Sequence, residues 1–161
     1  MKKLTHLCKL ASCFAIAAFA SIQVASANNV SITNVTNPSA QNLQFDITWD
    51  NSWYVTTGPS NYDAVWIFIK YQSVATGAFN CTSDQNWSHG NIAGAGHSTT
   101  FGQIDLVGDN KGVFLHRSAA LTGTFTATVN LVTTIPAPPG GFAWNYKVFA
   151  VEMVFIPTIA Y

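Results

Sequence analysis

The sequence predicts an all-β domain, a two-sheet antiparallel β-sandwich of about eight to nine strands, with the jelly roll among the arrangements that fit. Three observations point there. Aromatic residues make up 13% of the chain and charged residues only 9%, the polar remainder being mostly Ser, Thr, Asn and Gly. That mixture suits half-buried pleated strands better than helices. Apolar and polar residues alternate with a period of two along several segments, and no window carries a sustained 3.6-residue stripe with caps. Turn-forming clusters of Gly, Pro and Asn separate the segments: Thr57-Gly58-Pro59-Ser60-Asn61, Gly94-Ala95-Gly96, Gly108-Asp109-Asn110-Lys111-Gly112 and Pro136-Ala137-Pro138-Pro139-Gly140-Gly141. In each, proline fixes φ or glycine tolerates positive φ.

Taken in order, residues 30–36 form a weak strand candidate. Leu43, Phe45, Ile47 and Trp49 then alternate with Gln44, Asp46, Thr48 and Asp50, so one face meets a core and the other meets water. Residues 52–56 are a second weak candidate. The run Ala64-Val65-Trp66-Ile67-Phe68-Ile69 is apolar on both faces and reads as a central strand covered on both sides, which places Trp49 and Trp66 in the core. Residues 87–92 and 98–106 are weaker. Residues 113–117 are a short strand, and in 123–131 Phe125, Ala127, Val129 and Leu131 alternate with Thr124, Thr126, Thr128 and Asn130. Residues 143–156 form a long final strand, with Asn145, Lys147, Phe149, Val151 and Met153 on one face. Roughly fourteen residues exceeds the usual five or six, so its second half is expected to serve a neighbouring domain more than the sandwich.

The chain divides into 1–27, a secretory signal peptide; 28–157, the sandwich; and 158–161, a C-terminal remnant. Lys2, Lys3 and Lys9 form a positive n-region, an apolar stretch follows, and Ala25-Ser26-Ala27 supplies the small residues of a cleavage site. The protein is therefore expected to be exported to the periplasm, the cell surface or the medium, with no transmembrane segment after cleavage. The competing reading is Leu10-Ala11-Ser12-Cys13 as a lipobox that acylates Cys13. Cys8 and Cys13 lie in the signal, so Cys81 remains alone, without an intramolecular disulfide partner and without a nearby cation to lower its pKa. Residues 28–161 carry four cations against seven carboxylates, a net charge of −3. No basic field exists to hold nucleic acid.

Motifs that carry chemistry are scarce. His89, His97 and His116 are not at ligand spacing with a second His, Cys or carboxylate, and Asp105 and Asp109 lack the oxygen alternation of a calcium loop. No nucleophile elbow, zinc-protease helix or phosphate-cradling loop occurs. The expectation is a non-enzyme with no cofactor, no metal and no catalytic residue. Five Trp residues are many for one domain, and Trp53, Tyr54 and Trp87 lie near loops where exposed rings stack on sugars. A carbohydrate-binding module using those three is the runner-up to a scaffolding, docking or presentation module.

Several strings carry a family resemblance. Phe45-Asp46-Ile47-Thr48-Trp49-Asp50-Asn51-Ser52-Trp53 and Asn61-Tyr62-Asp63-Ala64-Val65-Trp66-Ile67-Phe68-Ile69-Lys70-Tyr71 resemble a β-sandwich module of secreted Bacteroidota proteins. Lys111-Gly112-Val113-Phe114-Leu115-His116-Arg117-Ser118 and Lys147-Val148-Phe149-Ala150-Val151-Glu152-Met153-Val154-Phe155-Ile156-Pro157 extend the likeness. In that family the module usually precedes a domain similar to the formylglycine-generating, sulfatase-modifying enzymes. Met153-Val154-Phe155-Ile156-Pro157 looks like the opening of such a domain, and Thr158-Ile159-Ala160-Tyr161 departs from it. The resemblance implies an accessory module, a truncated or split product of a larger protein, whose partner is a neighbouring domain or a surface protein. No residue matches the catalytic part of the enzyme family.

Overall fold

The computed structural model describes residues 28–39, 41–58, 60–75 and 87–155. The expected signal peptide with Cys13, the lone Cys81 and the remnant 158–161 lie outside the described residues. Among the described residues there are nine strands and no helix. They are β1 (Ser31–Ser39), β2 (Asn42–Val55), β3 (Asn61–Ala75), β4 (Ser88–Gly90), β5 (Ser98–Thr99), β6 (Gln103–Leu106), β7 (Val113–His116), β8 (Leu121–Val132) and β9 (Phe142–Phe155). Every pairing is antiparallel. This is the all-β, sandwich-like fold that the alternation predicts.

Two layers emerge from the pairing. In the first, β5, β8, β2 and β1 lie side by side. In the second, β9 runs along one edge of β3 from Tyr62 to Ala75, while the other edge is shared by β7 at Ala64–Ile67 and β4 at Ile69–Tyr71, and β6 lies beyond β7. Strands β2 and β3 pair only beside their turn, at Tyr54–Tyr62 and Val55–Asn61. That short seam makes the two layers one continuous sheet folded back on itself. At the far side, the Asn28 amide donates to the Glu152 carboxylate, tying the start of the first layer to β9. The result is nearly a barrel.

The core is the set of inward faces. Leu43, Phe45, Ile47 and Trp49 of β2, Val65, Ile67 and Ile69 of β3, Val113 and Leu115 of β7, and Phe125, Ala127, Val129 and Leu131 of β8 are all buried and form one cluster. Residues of β2 and β3 that share no ladder beyond the seam thus meet across the interior, as facing sheets must. Trp49 stacks on Phe125 with ring centroids 4.1 Å apart.

Two weak segments resolve differently from the simplest reading. Residues 52–56 are no separate strand: β2 continues to Val55 through a bulge between Trp49 and Ser52, where Asn51 adopts a φ of 55°. Asparagine tolerates that left-handed conformation better than most residues. Residues 98–106 break into β5 and β6 around Gly102, whose φ is +79°. A Cβ there would lie 2.4 Å from the His116 carbonyl oxygen, so only glycine lets the chain cross between the layers so closely.

Candidate functional site

Strand β3 has two unlike faces. Asp63, Val65, Ile67 and Ile69 point inward and are buried. Tyr62, Trp66, Phe68 and Lys70 point outward and are only half-buried. Trp66 is therefore not a core residue, contrary to the sequence reading, because β3 alternates and its odd positions take the interior. No third layer covers the outer face among the described residues. The rings cover one another instead.

From the β2–β3 turn onward, this outer face is lined by aromatic rings. Tyr54 meets Tyr62 edge-on at 5.5 Å, and Tyr62 stacks on His116 at 4.4 Å. Trp66 leans on Phe114 of β7 at 4.9 Å. Phe68 lies between Phe149 of β9, parallel at 5.0 Å, and His89 of β4 at 5.9 Å. At the far end the Lys147 ammonium sits 4.5 Å from the centre of the Trp87 ring. Tyr62 to Lys70 is eight residue steps, or about 26 Å of strand. Beside this stripe β9 presents Phe149, Val151 and Met153 at 38%, 51% and 45% exposure.

Backbone geometry builds the stripe. Trp66 can lie across the sheet only because position 112 has no side chain: a Cβ there would be 2.5 Å from its Cζ2 atom and 2.6 Å from the Ile67 carbonyl oxygen. Cross-strand register sets the rest, since Trp66 is opposite both Phe114 and Val151, and Phe68 is opposite Phe149. Burial raises the pKa of Tyr62 above its ordinary value, assisted by the nearby negative charge of Asp105 and by Tyr54.

Of the three sugar-stacking candidates, the structure places two on this face, at opposite ends. Tyr54 is near the turn and Trp87 is beside Lys147. Trp53 falls on the other side of its strand, because successive residues point to opposite faces. Its backbone N–H donates to Asp63 Oδ1 at 2.8 Å. The three do not converge on one platform. Trp66, Phe68, Phe114 and Phe149 occupy the centre of the face. Their signals in the sequence were the two-sided apolar run in β3 and the apolar alternate positions of β9.

A buried polar network underlies the turn end. Asp63 accepts from Trp49 Nε1 at 2.6 Å, Ser52 Oγ at 3.0 Å and the Trp53 N–H. Arg117, 3% exposed, donates from Nε to Ser52 Oγ and from Nη2 to the Gly123 and Thr124 carbonyl oxygens, with Phe125 5.5 Å from its guanidinium. His116 contacts Asp105 through Nε2 at 2.9 Å and the Arg117 carbonyl oxygen through Nδ1 at 2.7 Å. Both imidazole nitrogens are thus taken up by oxygen acceptors, and the hydroxyl of Ser52 is sealed in the core. These contacts clamp β2, β3, β7 and β8 together where the layers join. Asp109 Oδ1 accepts from the Lys111 N–H within its turn. Among the described residues, no group of three or more His, Cys, Asp or Glu side chains is arranged to hold a metal ion, and no helix is long and apolar enough to cross a membrane.

Comparison with protein families, curated proteins and solved structures finds no match for this chain.

Proposed function

We propose that the chain is a non-catalytic accessory module that docks a neighbouring protein domain through the aromatic outer face of the β3–β9 layer. The observation that carries this reading is the half-exposed stripe of Trp66, Phe68, Phe114 and Phe149, extended by exposed Val151 and Met153. Contiguous apolar surface of this kind, with polar groups at its ends, marks protein interfaces. A sugar platform over the same residues is less favoured. Phe68 and Phe149 present their faces to each other, with planes within 8°, and the flanking Val and Met offer no hydrogen bonds to hydroxyl groups.

The occupant we infer is a domain encoded beside this module, in line with the sulfatase-modifying-type domain that the sequence resemblance implies. It would act on an exported protein, with the module as its support. The test is to express whatever domain the adjoining DNA encodes and mix it with this protein. Co-elution in size-exclusion chromatography, abolished by combining Phe149→Ser, Val151→Asp and Met153→Asp, supports the reading. Separate elution of the wild-type pair overturns it, as does adjoining DNA that encodes no such domain.

A further inference from the structure

A second aromatic site lies on the opposite face of β9, where the layers part at the end remote from the β2–β3 turn. Phe142, Trp144 and Tyr146 occupy alternate positions of β9 on its inward face, each step about 7 Å along the strand. Farther along the same face, Val148 and Ala150 pack against the core. Trp144 and Tyr146 also lean on the edge of the core, and together with the exposed Phe142 they line a recess of about 300 Å³ bordered by Asn37 of β1 and Pro138 of the connecting loop.

Trp144 is held there by its edge. Its Nε1 donates to the Pro136 carbonyl oxygen at 2.7 Å, and Tyr71 meets it at 5.0 Å with planes 77° apart. Among the described residues no other ring stacks on it. This is the reverse of the Phe68–Phe149 arrangement, where each ring occupies the face of the other. Trp144 is thus part-buried against the core and yet lines the recess, and a ring held in place with an accessible side is preorganised to take a flat partner. The polar groups nearby are neutral. Asn37 spends one amide hydrogen on the Asn42 carbonyl oxygen, leaving its own carbonyl and a second N–H. Tyr146 stays protonated well into alkaline pH because burial raises its pKa.

No charged side chain lines the recess, so a charged ligand would meet no counter-charge. Aromatic-lined grooves often take proline-rich peptides, but here the Trp144 N–H that would hydrogen-bond a peptide carbonyl is already given to the Pro136 carbonyl oxygen. What remains is a neutral ligand with one flat apolar face and a rim of hydroxyls. We propose that the recess binds a neutral saccharide, a pyranose stacking on Trp144 and Phe142 with Asn37 and Tyr146 as hydrogen-bonding partners. The site is separate from the docking face, on the other side of the same strand, so either can fail without the other.

The experiment titrates the full chain with neutral xylo-, cello-, manno- and chito-oligosaccharides, a sialylated trisaccharide and a proline-rich peptide, by calorimetry and tryptophan emission. Saturable binding of at least one neutral oligosaccharide is expected. Trp144→Ala should weaken it about tenfold or more, the effect of deleting an anchoring ring. Phe142→Ala, at a 43% exposed position where misfolding is not at issue, should also weaken it, while Trp87→Ala and Phe149→Ser leave it unchanged. Absence of binding by every neutral sugar overturns the proposal. Binding indifferent to Trp144→Ala and Phe142→Ala does the same, as does selective binding of the proline-rich peptide or the sialylated sugar.

Discussion

The outer faces of the two layers are built from opposite chemistries on the same scaffold. On the β2–β8 layer, Thr126 meets Thr48 at 2.6 Å, Thr128 donates to Asp46 at 2.6 Å, Thr124 donates to Asp50 at 3.0 Å, and Asn34 reaches Asp46 from β1 at 2.7 Å. Those side chains satisfy one another's hydrogen bonds across strands. On the β3–β9 layer the equivalent positions are Trp66, Phe68, Phe114, Phe149, Val151 and Met153. Rings in contact bury part of their surface, but the exposed remainder can be satisfied only by a further apolar surface. The contrast teaches which side of the sandwich is finished. One face is complete in water, and the other still has burial to gain.

The contrast rests on a common foundation, and removing that foundation should erase both faces together. Asp63→Ala leaves Trp49 Nε1 and the Trp53 N–H without their acceptor and Arg117 without its bridged counter-charge. A loss of about 3–5 kcal/mol in urea unfolding is expected, in the range for stripping one partner from a buried ionic network. Unfolding that stays within experimental error of wild type would mean the network is not what joins the layers.

A change confined to one face should be smaller and local. Gly112→Ala drives a methyl group into Trp66 and should cost about 1–3 kcal/mol by overpacking. Chemical-shift changes should gather on Trp66, Phe114 and their β9 neighbours and spare Thr48, Thr126 and Thr128. Equal shifts on both faces would show that the two are mechanically coupled. On the polar face, Thr126→Val removes one cross-strand hydrogen bond and should cost about 1 kcal/mol without altering Trp emission.

The smallest effects come from pH, and the two faces should respond at opposite ends of the scale. The Thr128 hydroxyl, then the Asn34 amide, hold Asp46 below its ordinary 3.8. A depressed carboxylate favours the folded state above about pH 4, and that contribution disappears as pH falls through the lowered value. Tyr62 is displaced upward from 10.0, chiefly by burial. Its neutral phenol favours the folded state below about pH 10, and the contribution is lost as pH rises through the raised value. Acid titration followed by NMR should perturb Asp46 and Thr128 only below about pH 4, and alkaline titration should perturb Tyr62 together with its ring neighbours His116 and Tyr54. Thr128→Val should raise the Asp46 midpoint toward its ordinary value, and an unmoved midpoint would assign the depression to another group.

How much of this was legible depended on the strand. In β2 and β8 one face is apolar and the other is Gln, Asp, Thr or Asn, so the period of two names the core side outright: Phe45, Trp49, Phe125 and Val129 are buried as that period requires. The length of β9 and the shared face of Lys147, Phe149, Val151 and Met153 were equally readable. In β3 the run from Ala64 to Ile69 is apolar at every position, and alternation carries no sign when both sets are apolar. Which set faces inward was decided by pairing with β7 and β9 and by the seam to β2, contacts remote in sequence. The sugar-stacking candidates failed to converge for a related reason: proximity to loops is a local property, whereas Tyr54 and Trp87 are set apart by the length of a strand neither belongs to.

The residues by themselves determined the all-β class, the number and order of the main strands, the turns and the inward faces of β2 and β8. Each of these follows from interactions between near neighbours: torsional preference, alternation with water, and proline or glycine at a bend. Only the tertiary structure decided that Trp66 faces outward, that Gly112 makes room for it, that Asp63, Ser52 and Arg117 form one buried network, and that Trp144 lines a recess at the edge of the core. Those outcomes depend on which strands lie opposite one another. A ring is covered or exposed by partners forty or more residues away, as Trp66 is by Phe114 and Val151, and the local pattern around it is the same in either case.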